Sequence, residues 1–457
     1  MRLPPRVGLL IACGLFACEA PRPSHILILS IDSLRADHLG CYGYERETSP
    51  HIDRLASEGV LFERALSSTS WTLPAHAALF TGLADSLHGV THGGRALAAG
   101  IPTLAERLSE EGWATAAVVS GPHLHPRYGL SRGFDEYLGC MSYLDAGFRP
   151  KLSGNLHAAS HQDVTGPCVV EQAGAWLDEH RDGPALLFLH FWDVHYDYLA
   201  PQPWAGRFDP EYLGSIDSSD FAHNPAISPD MESRDLEHVV ALYDEEIAFT
   251  DSQIGEILAR LDALGLRETT LVVLLADHGE AFFEHSRKGH QKDLHAEAIR
   301  IPLVLRGPGV PTGVRRPGPA SITDVMPTVL EMLGLIPDRP TGAGSGRSLV
   351  GALGDANALA DRLIFTELYA KAGALVSLEG LEQKLVRDLR TRDVTRYDLS
   401  SDPLEQEPRR VSEADSKALT AYRTAVRLRA QEFPEPDAVV GIDPQSRQRL
   451  KELGYGD

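Results

Sequence analysis

Residues 25–32 read HILILSID, an unbroken apolar run that ends on a carboxylate. A run without alternation predicts a parallel strand covered on both faces rather than a half-exposed one. Similar runs at residues 114–120, 185–190, 271–276 and 303–305 predict four more. Between them the apolar positions take helical spacing over 51–58, 75–81, 103–111 and a long stretch from about 235 to 264; residues 324–335 add another helix after the last strand. Strands alternating with helices predict an α/β domain, a mostly parallel sheet flanked by helices.

The texture changes near residue 338. Residues 340–347 are rich in Gly and Pro, as a loop or linker is. Short β-like runs at 363–369, 374–378 and 384–387 and a helical stretch at 412–432 predict a small α+β C-terminal subdomain, 338–457, behind a main domain spanning 24–337. Residues 145–166 and 206–233 are polar and irregular, long insertions of the kind that cover an active site or lie on the surface.

The first residues read as a separate unit. Arg2 and Arg6 precede an apolar run, residues 7–17, broken only by Gly8, Cys13 and Gly14. That is the shape of an export signal, too short to span a bilayer comfortably. Leu15-Phe16-Ala17-Cys18 is similar to the lipobox of bacterial lipoproteins. The similarity implies a signal peptide over 1–17, a lipid anchor on Cys18, and a place in the cell envelope: the periplasm or, with Glu19 after the Cys, the outer membrane in a Gram-negative cell. An ordinary cleaved signal with an incidental Cys18 is the alternative. Leu10-Ile11-Ala12-Cys13 has the same pattern but too little apolar sequence before it.

Composition narrows the function. The chain of 457 residues is 43% apolar and 23% charged, ordinary for a globular enzyme. Its formal net charge of −21 argues against a nucleic-acid partner, which needs clustered Lys and Arg. A small anionic substrate stays compatible, because a metal ion reverses the local field. Five cysteines without a CxxC spacing argue against a cysteine zinc site. A Cys140–Cys168 bridge would suit an exported protein, and the sequence leaves it open.

Ligands of open α/β sheets sit at the carboxyl ends of strands. Three strands end in metal-binding residue types: Asp32, the pair Asp277-His278, and residues 190–197. Asp32 alone reads equally as a helix cap. Asp277-His278-Gly279 is more specific, a carboxylate and an imidazole beside a glycine that lets the backbone turn sharply. Thr72 precedes Pro74, which fits a first helical turn. Its hydroxyl is either an N-cap or a nucleophile placed where exposed N–H groups favour an anion.

The segment from Thr72 to Gly82, T-x-P-x-H-x-x-x-x-T-G, resembles the sulfatase signature C/S-x-P-x-R-x-x-x-x-T-G. Other pieces of that pattern follow in order: ILSIDSLRADHLGCYGY near the start, DVHYDY at 193–198, ADHGE at 276–280, RIPLVLRGPG from Arg300, SITDVMPTVLEMLGL, and RYDLSSDPLEQE. The resemblance runs from about residue 25 to 407 and implies the alkaline-phosphatase-like fold. It implies a divalent metal on Asp32, Asp277 and His278, with Thr72 as nucleophile and further ligand. His195 corresponds to the family's substrate-binding His. His190, five residues earlier, stays open between site and core.

Three departures shape the expected chemistry. Sulfatases convert a Cys or Ser to formylglycine, which Thr72 cannot become. His76 replaces the motif Arg, as in the T-x-P-x-H motif of nucleotide phosphodiesterases. Asp32 is followed by Ser33, where sulfatases often carry a second Asp. A basic residue is expected after the Asp-His-Gly strand, and His290 fits best, with His285 and His295 as competitors. The resemblance thus implies a sulfuric or phosphoric ester hydrolase acting by double displacement, with phosphorus esters favoured. Its substrate would be a small anionic ester, free or carried on a glycan or lipid. Mixed oxygen and nitrogen ligands suit zinc or manganese better than calcium or magnesium, which remain alternatives. A phosphoryl transferase acting on an envelope lipid or glycan, or a non-catalytic surface lipoprotein, would fit the same fold.

Overall fold

The computed structural model describes residues 22–140, 164–335, 342–370 and 373–439. The expected export signal and Cys18 lie outside these residues, as do parts of the first insertion and of the C-terminal subdomain.

The apolar runs form the centre of a nine-stranded sheet. His25–Ile31 lies between Thr270–Ala276 and Ala185–Phe191, parallel to both. Ala114–Val119 and then Glu136–Gly139 extend the parallel set beyond Ala185–Phe191. The first three strands are buried at every position, which is why their sequences lack alternation.

Beyond Thr270–Ala276 the direction changes. Leu303–Arg306 runs antiparallel to it, although the apolar run alone reads as one more parallel strand. Pro302 interrupts this strand, and Arg300–Ile301 continues its pairing with Val60–Leu66. Val314–Ser321 closes that edge, parallel to Val60–Leu66.

Helices fall into two packed groups. Pro50–Ser57 and Gly166–Glu179 both pack on Ser233–Ala263; Thr72–Thr81 packs with Leu104–Glu110 and Val325–Met332. Among the described residues, no helix is long and apolar enough to cross a membrane. The C-terminal part carries a four-stranded antiparallel sheet, Ile364–Ala370, Gly373–Glu379, Gln383–Asp388 and Val394–Asp398, paired in chain order. The helix Glu413–Ala430 follows, capped by Ser412 in a capping box with Asp415. The α/β domain and the small α+β C-terminal part are therefore both present. Cys140 and Cys168 form a disulfide.

Candidate active site

The site is assembled by strand register. Ile31 pairs with Ala276 on one side and Phe191 on the other. The following residues, Asp32 and Asp277, leave the sheet side by side at its carboxyl edge, and both are fully buried. His278 comes next. Gly279 is explained by packing rather than by the sharp turn expected. A Cβ there would stand 2.1 Å from the Glu297 carbonyl oxygen, and its N–H donates to the Ala298 carbonyl at 2.9 Å.

Thr72 begins a helix whose ten residues are all buried, consistent with a sequence apolar on every side. The N-cap position belongs to Trp71, in extended conformation, and no side chain caps the helix. Thr72 is thus not the cap. Its Oγ1 lies 3.5 Å from Asp32 Oδ2 and 3.3 Å from His278 Nε2. Pro74 falls in the first turn, where its missing N–H costs no helical bond. Gly82 ends the helix in the left-handed conformation, with φ 66°, which a glycine adopts without strain.

These side chains converge as a donor set. His278 Nδ1 donates to the Gly279 carbonyl at 2.8 Å, which turns the Nε2 lone pair toward Thr72, Asp32 and Asp277. Asp277 Oδ1 accepts from the backbone N–H of His278 at 2.8 Å and of Ser33 at 3.2 Å. Its Oδ2 is buried with no hydrogen-bond partner. His278 Nε2 lies 3.5 Å from that oxygen and 3.7 Å from Asp32 Oδ1. Two donors bound tetrahedrally to one ion at about 2.1 Å stand roughly 3.4 Å apart. The spacing, the donor types and the orphaned oxygen fit a divalent cation.

Electrostatics point the same way. Burial pushes the Asp32 carboxyl up, but contact with His190 and the nearby His195 and His278 imidazoles outweigh it and hold Asp32 well below the usual range. Asp277 is driven well above that range by burial and by the Asp32 charge. Two buried carboxylates this close remain jointly charged only with a cation between them.

The surrounding imidazoles divide clearly. The His290 ring lies 4.5 Å from that of His278 and 5.0 Å from that of His195. His290 Nδ1 is 3.3 Å from both Glu280 oxygens, and its buried Nε2 has no hydrogen-bond partner. Burial pushes Glu280 up to about 8 and holds His195 and His290 well below the usual histidine range. His195 stacks on Trp192 and sits 2.7 Å, through Nδ1, from the Tyr196 carbonyl.

The competitors His285 and His295 stack on each other instead. His285 bonds Glu297 at 2.7 Å and the Glu405 carbonyl at 2.9 Å, joining the main domain to its C-terminal part. His76 contacts the site through Asp277 Oδ2, 3.8 Å from its Nδ1.

Sequence reasoning leaves His190 open between site and core and misses Ser30 and His123. His190 Nε2 reaches within 3.3 Å of Asp32 Oδ2. Ser30 lies 3.0 Å from His76 Nε2. His123 meets the edge of Trp71, and burial lowers it to about 3. His190 and Ser30 sit inside apolar strand runs, and cross-strand register brings them together at the site. His123 lies just past the end of Ala114–Val119, a placement that could have marked it.

A family model described as Sulfatase matches residues 24–335. The chain is 29% identical over 357 residues to an ulvan-active sulfatase of Formosa agariphila, a match covering 73% of this chain and 68% of that protein. It is 28% identical over 368 residues to the N-acetylgalactosamine-6-sulfatase of Canis lupus familiaris, covering 72% and 66%. The matched stretch therefore spans about two thirds of these relatives' length. Among solved structures, the phosphonate monoester hydrolase of Agrobacterium radiobacter is similar with a TM-score of 0.69 at 25% identity, over 90% of this chain and 96% of that one.

Proposed function

Because this chain belongs to the sulfatase family, and its sulfatase relatives and phosphonate monoester hydrolase neighbour mark it as a sulfuric or phosphoric ester hydrolase, we propose that it is metal-dependent, with Thr72 as nucleophile and phosphorus esters as its favoured substrates. The observation that carries this reading is the placement of Thr72 Oγ1, 3.5 Å from Asp32 Oδ2 and 3.3 Å from His278 Nε2, at the start of a buried helix. Asp32, Asp277, His278 and Thr72 would hold one divalent ion, with zinc or manganese suited to the mixed donors. When bound, it supplies the positive charge that lowers the Thr72 hydroxyl pKa and offsets negative charge on the group in transfer.

The protein's own residues do the rest. Thr72 Oγ1 forms a bond to phosphorus as the bond to the departing ester oxygen breaks. His195 and His290, kept neutral by burial, are suited to accept the Thr72 proton and return it to that oxygen. In the second step the same imidazoles take a proton from the water that attacks phosphorus and pass it to Thr72 Oγ1 as the Oγ1–phosphorus bond breaks. His76 supports Thr72 from behind, its Nδ1 2.9 Å from the Thr72 carbonyl oxygen.

The preference for phosphorus follows from Thr72. A formylglycine hydrate, once sulfated, releases sulfate by cleaving its own carbon–oxygen bond through a second hydroxyl. Threonine has no second hydroxyl, so a sulfated Thr72 is a dead end, whereas phosphothreonine opens by attack of water at phosphorus. The phosphonate monoester hydrolase similarity supports phosphorus chemistry. The ulvan-active and N-acetylgalactosamine-6-sulfatase relatives support esters carried on glycans. Matched nitrophenyl phosphate, phosphonate and sulfate esters, assayed with zinc or manganese restored, test the reading. A higher kcat/KM on the phosphorus esters is expected, and a clear sulfate preference overturns it.

Export with a lipid anchor on Cys18 is part of the same proposal. The Cys140–Cys168 disulfide supports an oxidising compartment. Mass spectrometry of native protein should find a diacylated Cys18 at the mature N-terminus; an unmodified Met1 contradicts export.

A further inference from the structure

Ser30 and His190 face each other across the parallel pairing of their strands and so project to the same side of the sheet. His76 meets them there. A chain of contacts follows: the Thr72 carbonyl oxygen lies 2.9 Å from His76 Nδ1, His76 Nε2 lies 3.0 Å from Ser30 Oγ, and Ser30 Oγ lies 3.3 Å from His190 Nδ1.

The chain has one direction. A carbonyl oxygen only accepts, so His76 Nδ1 carries the proton. His76 is fully buried against Phe80 and Phe188, with Asp277 Oδ2 3.8 Å from its Nδ1. In the neutral ring its Nε2 accepts from the Ser30 hydroxyl. Ser30 Oγ in turn accepts from His190 Nδ1–H, which leaves the His190 lone pair on Nε2.

That nitrogen is buried and makes no hydrogen bond, although Asp32 Oδ2 lies 3.3 Å away. In the metal-free site a proton on Nε2 would meet Asp32, and a cation that displaces that proton would have the Nε2 lone pair and the Asp32 oxygen as neighbouring donors. Two donors on one ion stand roughly 3.0–3.5 Å apart at bond lengths of about 2.1 Å. His190 also groups with His76 and Asp277, ligand atoms within 4.8 Å, and Asp277 is shared with the Asp32, Asp277 and His278 group.

We infer that His190 is a further nitrogen ligand of the metal site, held with its lone pair inward by the chain from the Thr72 carbonyl through His76 and Ser30. The inference rests on the metal set of the proposed function. It makes the centre richer in nitrogen by one imidazole, and so more selective for zinc over calcium. It also ties the ion to the backbone of the nucleophile, because the contact chain that fixes His190 ends on the Thr72 carbonyl.

X-ray absorption of chelator-stripped protein reloaded with zinc counts the imidazoles directly. Two imidazole nitrogens per ion are expected in the wild type. His190→Ala should fall to one, with zinc affinity at least tenfold weaker by chelator competition and unaltered circular dichroism. Ser30→Ala, which keeps the imidazole but cuts the chain, should also weaken zinc binding. A single imidazole in the wild type overturns the inference about His190 while leaving the proposed metal set standing. A wild type that takes up neither zinc nor any other divalent ion overturns both. Because the wild-type spectrum decides the question, a variant that fails to fold leaves it answerable.

Discussion

Asp32 and Asp277 occupy matched positions on neighbouring parallel strands, one residue past the Ile31–Ala276 pair, and neither exposes any surface. Such an arrangement is costly without a cation, since each carboxylate opposes ionisation of the other. Asp277→Ala should therefore abolish metal retention. Elemental analysis after metal loading should read at least one divalent ion per wild-type chain and almost none in the variant. Equal contents would remove the basis for a metal centre here.

A second pair binds the C-terminal part to the main domain. Both terminal nitrogens of Arg362, just before Ile364–Ala370, bond the two Asp324 oxygens. Asp324 also accepts from the Ser321 and Arg347 N–H groups at 2.8 Å each. Removing the guanidinium strands a buried, committed carboxylate, at a cost of about 3–5 kcal/mol. Arg54→Ala, which breaks an exposed contact with Glu58, should cost under about 0.5 kcal/mol. Denaturant titration of Arg362→Ala beside Arg54→Ala checks the contrast, and similar losses would contradict it.

Glu367 makes stability depend on pH. Burial and the neighbouring Asp85 push it up to about 7, against 4.5 for the free side chain. The folded state thus holds a proton that the unfolded chain has lost, so stability falls as pH rises from 4.5 toward 7 and levels off above. Glu367→Gln removes that loss and can keep the Ser86 N–H and Tyr369 hydroxyl as partners. The variant should be more stable than wild type at pH 8, on the order of 1–3 kcal/mol, with the gain vanishing near pH 4. Melting curves at the two pH values decide it; a gain of the same size at both means that ionisation is not the cause.

Much of this architecture is legible in the chain because burial on both faces erases alternation, as in HILILSI and TLVVLLA. Val60–Leu66 is harder to read, since Glu63 and Arg64 interrupt its apolar positions. Val314–Ser321 contains Pro317 and Pro319, which argue against a strand; it is tolerated as an edge strand whose register shifts between Arg316 and Pro319. The antiparallel direction of Leu303–Arg306 has no local signature at all. Gly166–Glu179 had one, Pro167 in the first turn ahead of buried Val169, Ala173, Trp176 and Leu177, but it adjoins a polar insertion. At the site, Asp32, Thr72, Asp277 and His278 stand at element ends, where polar residues break an apolar pattern and can be seen. Ser30 is masked within a strand and His190 stays ambiguous near the end of another, because a polar residue in a strand is usually a satisfied core group.

The proposed chemistry turns on Thr72, and trapping its covalent intermediate is the most direct measurement. Metal-loaded protein would be mixed with a fast-leaving nitrophenyl phosphate ester, quenched in acid within one turnover, digested and mapped by mass spectrometry. Phosphate on Thr72 is expected, absent in Thr72→Ala, together with loss of nearly all turnover in that variant. Phosphate on Ser70, or wild-type turnover by Thr72→Ala, would contradict the account.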